Sequence, residues 1–168
     1  AFGLQNTGSS DIEAVLNTGD DDDHVHISAN ANGTAWNGFT DENGNWVDET
    51  TLADVALAIG IDGYDVDLDA GNDHLNVNVW ANAATPTAIG IRQSTVDTGT
   101  GDDHLNIWSN TNDAAGMDPA IGLQDTSLNT DTGFDNIHIN ASANSGSGTV
   151  EAFGLQNTGS SDIEAVLN

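Results

Sequence analysis

The sequence predicts an all-β protein of the parallel β-solenoid class, and three observations lead to that prediction. Residues 1–17 recur unchanged as residues 152–168, at an offset of 151 residues. A shorter repeat of about 30 residues lies within this unit, and apolar and polar residues alternate after each of its acidic turns. Repeats of this length are typical of solenoids, in which no coil buries its apolar face alone and neighbouring coils bury it together.

The coils are marked by a tetrad of Ala, an apolar residue, Gly and a second apolar residue. It begins at residues 1, 58, 88, 120 and 152. Residues 1–151 are therefore predicted to form one unit of four coils, and residues 152–168 the start of the next identical unit. An inserted loop at about residues 31–57 enlarges the first coil, and residues 51–57 allow a short helical turn. Parallel crossovers favour a right-handed coil.

Apolar residues recur at fixed places in every coil and predict the core. Period-two alternation after each turn is typical of a half-buried strand. The inward positions are Val25 and Ile27, Leu75 and Val77, Leu105 and Ile107, and Ile137 and Ile139. The tetrads are expected to add further inner ladders: Phe2 and Leu4, Ile59 and Ile61, Ile89 and Ile91, and Ile121 and Leu123. A further ladder lies just before the turns: Leu16, Val66, Val96 and Leu128.

The charge of the chain is far from that of an ordinary domain. There are 27 Asp and Glu residues but a single Lys or Arg, Arg92, so the net charge is −26. Such a surface repels nucleic acid and anionic membranes, because it has almost no cation to neutralise a phosphate. No apolar run approaches the ~20 residues of a membrane helix. Divalent cations or high salt are expected to offset the charge. A disordered acidic tail is the alternative, which the regular apolar spacing disfavours.

A turn rich in Gly and Asp precedes each alternating segment. In the third coil, residues 98–106 read Thr-Gly-Thr-Gly-Asp-Asp-His-Leu-Asn. Glycine permits the tight turn, and Ca²⁺ takes six to eight oxygens from carboxylates and carbonyls. With no cysteine in the chain, a thiolate metal site is excluded. The Asp directly before each strand is the expected carboxylate ligand: Asp23, Asp73, Asp103 and Asp135.

These turns resemble the RTX nonapeptide, the hemolysin-type calcium-binding repeat G-G-x-G-x-D-x-(apolar)-x, over nine to eleven residues in each of four coils. The resemblance implies several Ca²⁺ ions between stacked turns. It also implies further oxygens from two more columns, Gly19, Asp69, Gly99 and Asp131, and Asp21, Gly71, Gly101 and Gly133.

The turns depart from the family in two ways. Asp replaces the family's glycine at Asp21, Asp69 and Asp131, where it adds a ligand or crowds the turn. The family's shorter coil carries two nonapeptides, whereas each longer coil here carries one, so calcium is expected at one corner of each coil. Plain polar turns are the alternative. Against it, stacked carboxylates ~5 Å apart repel each other unless a cation lies between them.

Two outward polar columns are also predicted. One follows the ligand Asp and comprises His24, His74, His104 and Asn136. A solvated stack is the favoured interpretation, with a transition-metal ladder or a pH switch as alternatives. Amides near the coil ends are candidates for a hydrogen-bonded ladder or for simple turn use: Asn30, Asn82, Asn110 and Asn144.

The inserted loop carries Trp36, Phe39 and Trp46. Packing of the tryptophans over the side of the solenoid is the favoured interpretation, and a contact surface for a neighbouring fibre or a glycan is the alternative. Residues 41–45 are similar to the start of an EF-hand loop, but the Gly comes two places early and the twelfth-position Glu is missing. An extra calcium there is therefore poorly supported.

No catalytic constellation is found, and Arg92 is the only candidate base of the kind that polysaccharide lyases use, so no enzymatic activity is expected. The leading hypothesis is a structural repeat of a calcium-stabilised extracellular bacterial filament or surface fibre. Its partners are copies of itself, stacked head-to-tail in the same chain or in neighbouring subunits. Metal binding then drives folding only after export, and the resemblance implies type I secretion. The alternative is an adhesin stalk or surface-layer module that contacts glycans or cells.

Overall fold

The computed structural model describes residues 1–5, 14–33, 39–40, 46–47, 55–114, 119–145, 151–156 and 166–167. Within these ranges the chain consists of sixteen β-strands joined by turns, without any helix. The same ranges accordingly hold no helix long and apolar enough to cross a membrane.

Three strands build each coil. The first coil contains β1 (Phe2–Gln5), β2 (Ala14–Asn17) and β3 (His24–Asn32), and is followed by β4 (Phe39–Thr40) and β5 (Trp46–Val47). The second contains β6 (Val55–Asp62), β7 (Tyr64–Asp67) and β8 (His74–Asn82). The third contains β9 (Thr85–Arg92), β10 (Thr95–Asp97) and β11 (His104–Ala114). The fourth contains β12 (Ala120–Gln124), β13 (Ser127–Asn129) and β14 (Asn136–Ser145), and β15 (Ala152–Gln156) and β16 (Val166–Leu167) begin a fifth.

Equivalent strands of successive coils stack into three parallel sheets. The first sheet has the order β1-β6-β9-β12-β15, the second β2-β7-β10-β13-β16, and the third β3-β8-β11-β14. Every neighbouring pair within these sheets is parallel. This arrangement confirms the predicted parallel β-solenoid.

The register places equivalent residues on one another, as the repeat predicts. In the second sheet Val66 pairs with Leu16 on one side and with Val96 on the other. In the third sheet Leu105 pairs with Leu75 and with Ile137. Because like stacks on like, the inward side chains form continuous apolar columns, and they make up the main core.

The tetrads depart from this expectation. Ile61 lies in the main core, but Ile59, Ile89 and Ile121 form a second buried cluster against which Phe153 packs. Ala58 also belongs to the main core, although it is three residues from Ile61. Regular alternation would put residues at even spacing on one face, so the alternation is broken inside the tetrad. Both apolar residues of each internal tetrad are thus buried as predicted, but they lie in two separate clusters.

The tetrad glycine explains where the alternation breaks. A Cβ on Gly60 would lie 2.4 Å from Cγ1 of Val77 in the third sheet and 2.5 Å from the carbonyl oxygen of Gly90 in the next coil. A Cβ on Gly90 would meet Ile107 and Gly122 in the same way. The first sheet thus approaches the third so closely here that no side chain fits between them.

Strands β3 and β6 extend into the two ends of the predicted insertion. β3 runs to Asn32 and β6 begins at Val55, so a helical turn over residues 51–57 is wrong for its last three residues. Between them β4 and β5 form a small antiparallel pair, with Phe39 opposite Val47 and Thr40 opposite Trp46. Trp36 and the segment 41–45 with its EF-hand likeness lie outside the described residues.

Candidate metal-binding turns

The four acidic turns connect the second sheet to the third and stack along one edge of the solenoid. Ala70 bridges to Thr100, and Thr100 to Thr132. The amide of Gly71 donates to the carbonyl of Thr100 at 3.0 Å, and that of Gly101 to Thr132 at 3.0 Å. The backbone therefore places the predicted ligand residues in three columns, and successive residues of a column lie one coil apart.

The first column has a left-handed backbone in every coil. The φ values are 90° at Gly19, 65° at Asp69, 76° at Gly99 and 50° at Asp131. Apart from Gly, Asp and Asn are among the residues that adopt this conformation most readily. Asp21 in the second column also has a positive φ, of 100°. The three departures from the family glycine thus retain a glycine-like backbone.

A carboxylate or amide two residues earlier holds three of these left-handed residues, Asp69, Gly99 and Asp131. Oδ1 of Asp67 accepts from the amide of Asp69 at 3.1 Å, and Oδ1 of Asp97 from the amide of Gly99 at 3.0 Å. Asn129 does the same for Asp131. These contacts form Asx turns, in which the side chain fixes the backbone conformation two residues later in the chain.

In the second column, the backbones of successive coils lie in close contact. A Cβ on Gly101 would lie 1.5 Å from the carbonyl oxygen of Gly71, and a Cβ on Gly133 would lie 1.5 Å from that of Gly101. These carbonyl oxygens thus point at the glycine of the next coil. They are the kind of close, stacked carbonyls that the calcium hypothesis requires.

The third column is a ladder of carboxylates, here called the inner Asp column: Asp23, Asp73, Asp103 and Asp135. The amide of each Asp donates to Oδ1 of the Asp in the following coil, at 2.8, 3.0 and 3.1 Å along the column. Asp73 and Asp103 are buried, at 0% and 1% exposure. One oxygen of each acceptor is therefore used to join two coils.

A second ladder runs beside it in the opposite sense. The amides of Asn72, Asp102 and Phe134 each donate to Oδ1 of the residue one coil earlier, at 2.8, 2.9 and 3.0 Å. The acceptors are Asp22, Asn72 and Asp102. Phe134 has no side-chain oxygen and is 90% exposed, so the ladder ends there.

The inner Asp column also contains oxygens that nothing in the described protein satisfies. Oδ2 of Asp23, Asp73 and Asp103 is buried without a hydrogen-bond partner. Burial, followed by the charges of Asp103, Asp23 and Asp22, raises the pKa of Asp73, while the amide of Asp23 lowers it. A buried, unpaired carboxylate oxygen is costly, and its repetition in three coils makes this column a candidate cation site.

A depression of about 340 Å³ lies on the outer side of the turns. It is lined by Asp67, Asp69, Ala70, Asp97, Gly99, Thr100 and Asp131. Across the ranges that the structure describes, no three His, Asp or Glu side chains converge tightly enough to hold a metal by themselves. A cation at this edge would therefore take backbone carbonyls as well as carboxylates, a donor set that suits Ca²⁺.

Sequence reasoning missed part of this arrangement. Asp67 and Asp97 were not among the predicted ligands, although they cap the turns and line the depression. The ladder through Asp22 and Asp102 was missed too. The signal was present in the sequence, since an Asp or Asn recurs at these positions in at least three coils.

The remaining candidate groups take other roles. The rings of His24 and His74 stack at 4.5 Å, and those of His74 and His104 lie 5.4 Å apart at a tilt of 44°. Arg92 donates to both carboxylate oxygens of the buried Asp62, at 2.8 and 2.6 Å. The single Lys or Arg side chain of the protein is thus held in an ion pair between two coils of the first sheet.

No family model, curated protein or solved structure matches the chain. The resemblance to the RTX repeat therefore rests on the turn residues alone.

Proposed function

We propose that the chain is a structural repeat of a calcium-stabilised extracellular bacterial filament or surface fibre, in which units stack head-to-tail. The observation that carries the proposal is the junction between units. Leu123 of the fourth coil pairs with Leu155, and Leu128 pairs with Leu167, so the next unit begins in register on the first.

The backbone bonds at the junction are the same as those within the unit. Gly63 donates to the carbonyl of Arg92, Gln93 to that of Gln124, and Asp125 to that of Gln156, each at 3.0 Å. The last of these crosses from one unit to the next. Since the first and second sheets continue through the boundary without a change of register, adding units extends the solenoid along its axis.

Calcium is proposed as the ion because a divalent cation would compensate two unfavourable features of the chain. The net charge of −26 opposes compaction, and the buried Oδ2 atoms of the inner Asp column need a positive partner. The residues of the turns offer carboxylates, carbonyls and no thiolate, which fits a hard cation. Calcium is abundant outside cells, which agrees with an exported protein.

Small-angle X-ray scattering on one unit and on two tandem units, each in millimolar calcium, tests the proposal. Four coils at about 4.8 Å each predict that the second unit adds about 19 Å to the long dimension and leaves the cross-section unchanged. A much larger increase would mean separate beads rather than one solenoid. A profile unchanged by removal of calcium with EDTA would contradict the role of the metal.

A further inference from the structure

The outer face of the third sheet differs in composition from the rest of the molecule. Five outward positions of each strand repeat in four coils. We call these residues the amide face: His24, His26, Ser28, Asn30 and Asn32; His74, Asn76, Asn78, Trp80 and Asn82; His104, Asn106, Trp108, Asn110 and Asn112; Asn136, His138, Asn140, Ser142 and Asn144. All twenty side chains are exposed or half-buried.

The amide face carries no acidic residue, although the chain contains 27. Eleven of its residues are Asn, and it holds all five histidines of the protein. By contrast, the turn edge beside it carries the stacked carboxylates, and the second sheet presents Asp65, Asp67 and Asp97. A second polyanion could approach this face with less repulsion than it would meet at the turn edge or the second sheet.

Both tryptophans on this face are exposed, and Trp108 is also held in place by two contacts. Trp80 is 43% exposed and Trp108 is 38% exposed. The indole N–H of Trp108 donates to Oδ1 of Asn106, and its ring lies 5.6 Å from that of His138. Exposed aromatic rings that are already held in place lose little freedom on binding, and Trp is enriched at contact centres.

Along one margin the amides also bond to one another. Nδ2 of Asn112 donates to Oδ1 of Asn82 at 3.3 Å, and Nδ2 of Asn144 donates to Oδ1 of Asn112 at 3.5 Å. These bonds run along the axis. Within the second coil, Nδ2 of Asn78 donates to Oδ1 of Asn76 at 3.0 Å.

We propose that the amide face is a lateral docking surface whose occupant is the amide face of a second copy of this chain. The inference rests on the proposed filament and adds how filaments associate side by side. An amide is both donor and acceptor, so a face made of amides is complementary to itself. Asn side chains stacked on parallel strands form close interfaces of this kind.

A second copy also has the right spacing. Both partners repeat every four coils, about 19 Å along the axis, so a contact made once is made again in every unit. Four coils and nine residues span about 570 Å², less than the ~800 Å² per partner of a stable interface. Pairing should therefore be weak for one unit and cumulative for an array.

The test is sedimentation velocity over rising protein concentration, in calcium and in EDTA, with circular dichroism on the same samples. The wild-type chain should show an average mass that rises toward twofold. The variant N78D/N110D places two charges on the amide face and should remain at the mass of one chain. The control variant Q93E/S127D places two charges elsewhere and should pair like the wild type.

Three outcomes overturn the inference. They are a wild-type mass that never rises, equal pairing by N78D/N110D, and equal loss of pairing in the control. Retention of a monomeric wild type on insoluble cellulose, abolished in N78D/N110D, would assign the face to a neutral glycan instead. Face-dependent pairing of a protein that folds equally in EDTA would support the docking surface and contradict the calcium function.

Discussion

The backbone amide of Asp73 donates to Oδ1 of Asp103 at 3.0 Å, while Oδ2 of the same Asp103 is buried without a partner. The two oxygens of one carboxylate therefore have different roles. Oδ1 joins neighbouring coils, and Oδ2 has no hydrogen-bond partner within the described protein. Substitutions can separate these roles.

Asp103→Asn should keep the acceptor and remove the charge. In EDTA, far-UV circular dichroism is expected to show more β structure in the variant than in the wild type, because repulsion with Asp73 and Asp135 is relieved. In calcium it should melt lower, with calcium affinity reduced at least tenfold, about 1.4 kcal/mol. Calorimetric titration and thermal melts measure both effects.

Two further variants control this comparison. Asp103→Ala also loses the acceptor, so it should be destabilised by about 1–3 kcal/mol in calcium and should regain no β structure in EDTA. Asp102→Asn makes the same charge change at the exposed neighbour, which accepts from Phe134. A loss of calcium affinity in Asp102→Asn equal to that in Asp103→Asn would count against the inner Asp column as the ligand.

The pH dependence of the metal-free protein follows from Asp73. Burial and the neighbouring carboxylates raise the pKa of Asp73 in the folded state, above about 3.9 in the unfolded state. The folded chain therefore binds the extra proton, and stability falls as pH rises through the folded pKa. In EDTA the chain should therefore retain more β structure near pH 4 than at pH 7, as far-UV circular dichroism measures.

Asp73→Asn isolates this contribution from the general charge of the chain. The variant should show a smaller pH dependence than the wild type in EDTA. In calcium the dependence should reverse, since protons compete with the metal for the carboxylate. A wild type and variant with the same slope in EDTA would remove Asp73 as its source.

The tetrad glycines provide a matched pair. A Cβ on Gly122 would lie 2.3 Å from Cγ2 of Ile139 and 2.6 Å from the carbonyl oxygen of Gly154, whereas a Cβ on Gly154 meets nothing within 4 Å. Gly122→Ala is thus expected to destabilise by about 3 kcal/mol, and Gly154→Ala by much less. Urea unfolding of both variants measures the difference, and equal losses would contradict the close approach of the sheets.

The large features of this fold could be predicted because the repeat determines them. Residues at one position of the repeat stack, so the columns of Val66 and Leu105 and the inner Asp column follow from spacing alone. The break within the tetrad could not be predicted in this way. It arises from contact between Gly60 and Val77 in different sheets, and a periodic pattern has no information about that distance.

Small shifts of register also escaped the sequence. The predicted amide ladder combined Asn30 and Asn110 with Asn82, but both pair with Trp80. The true column contains Asn32, Asn82, Asn112 and Asn144. The amide face, in contrast, could be recognised from the sequence. It emerges when alternate residues after each turn are compared across the four coils.

The ion pair in the first sheet makes a further prediction. One column of the first sheet contains, in successive coils, Asp62, Arg92, Gln124 and Gln156. At the end of this column, Nε2 of Gln124 donates to Oε1 of Gln156 at 2.8 Å. Arg92→Gln leaves the buried Asp62 without its partner and should cost about 2 kcal/mol. The double variant D62Q/R92Q continues the amide ladder and should recover most of that loss in a thermal melt. Additive losses would show that the amide geometry does not extend along the column.

The central claim is that calcium drives formation of the solenoid, and far-UV circular dichroism with thermal melting tests it most directly. The chain is measured with millimolar calcium and then with excess EDTA. The account predicts a β-type spectrum and a cooperative melt in calcium, and loss of most of both on chelation, with recovery when calcium is restored. An unchanged spectrum and melting temperature in EDTA would contradict it, leaving a solenoid that folds without metal.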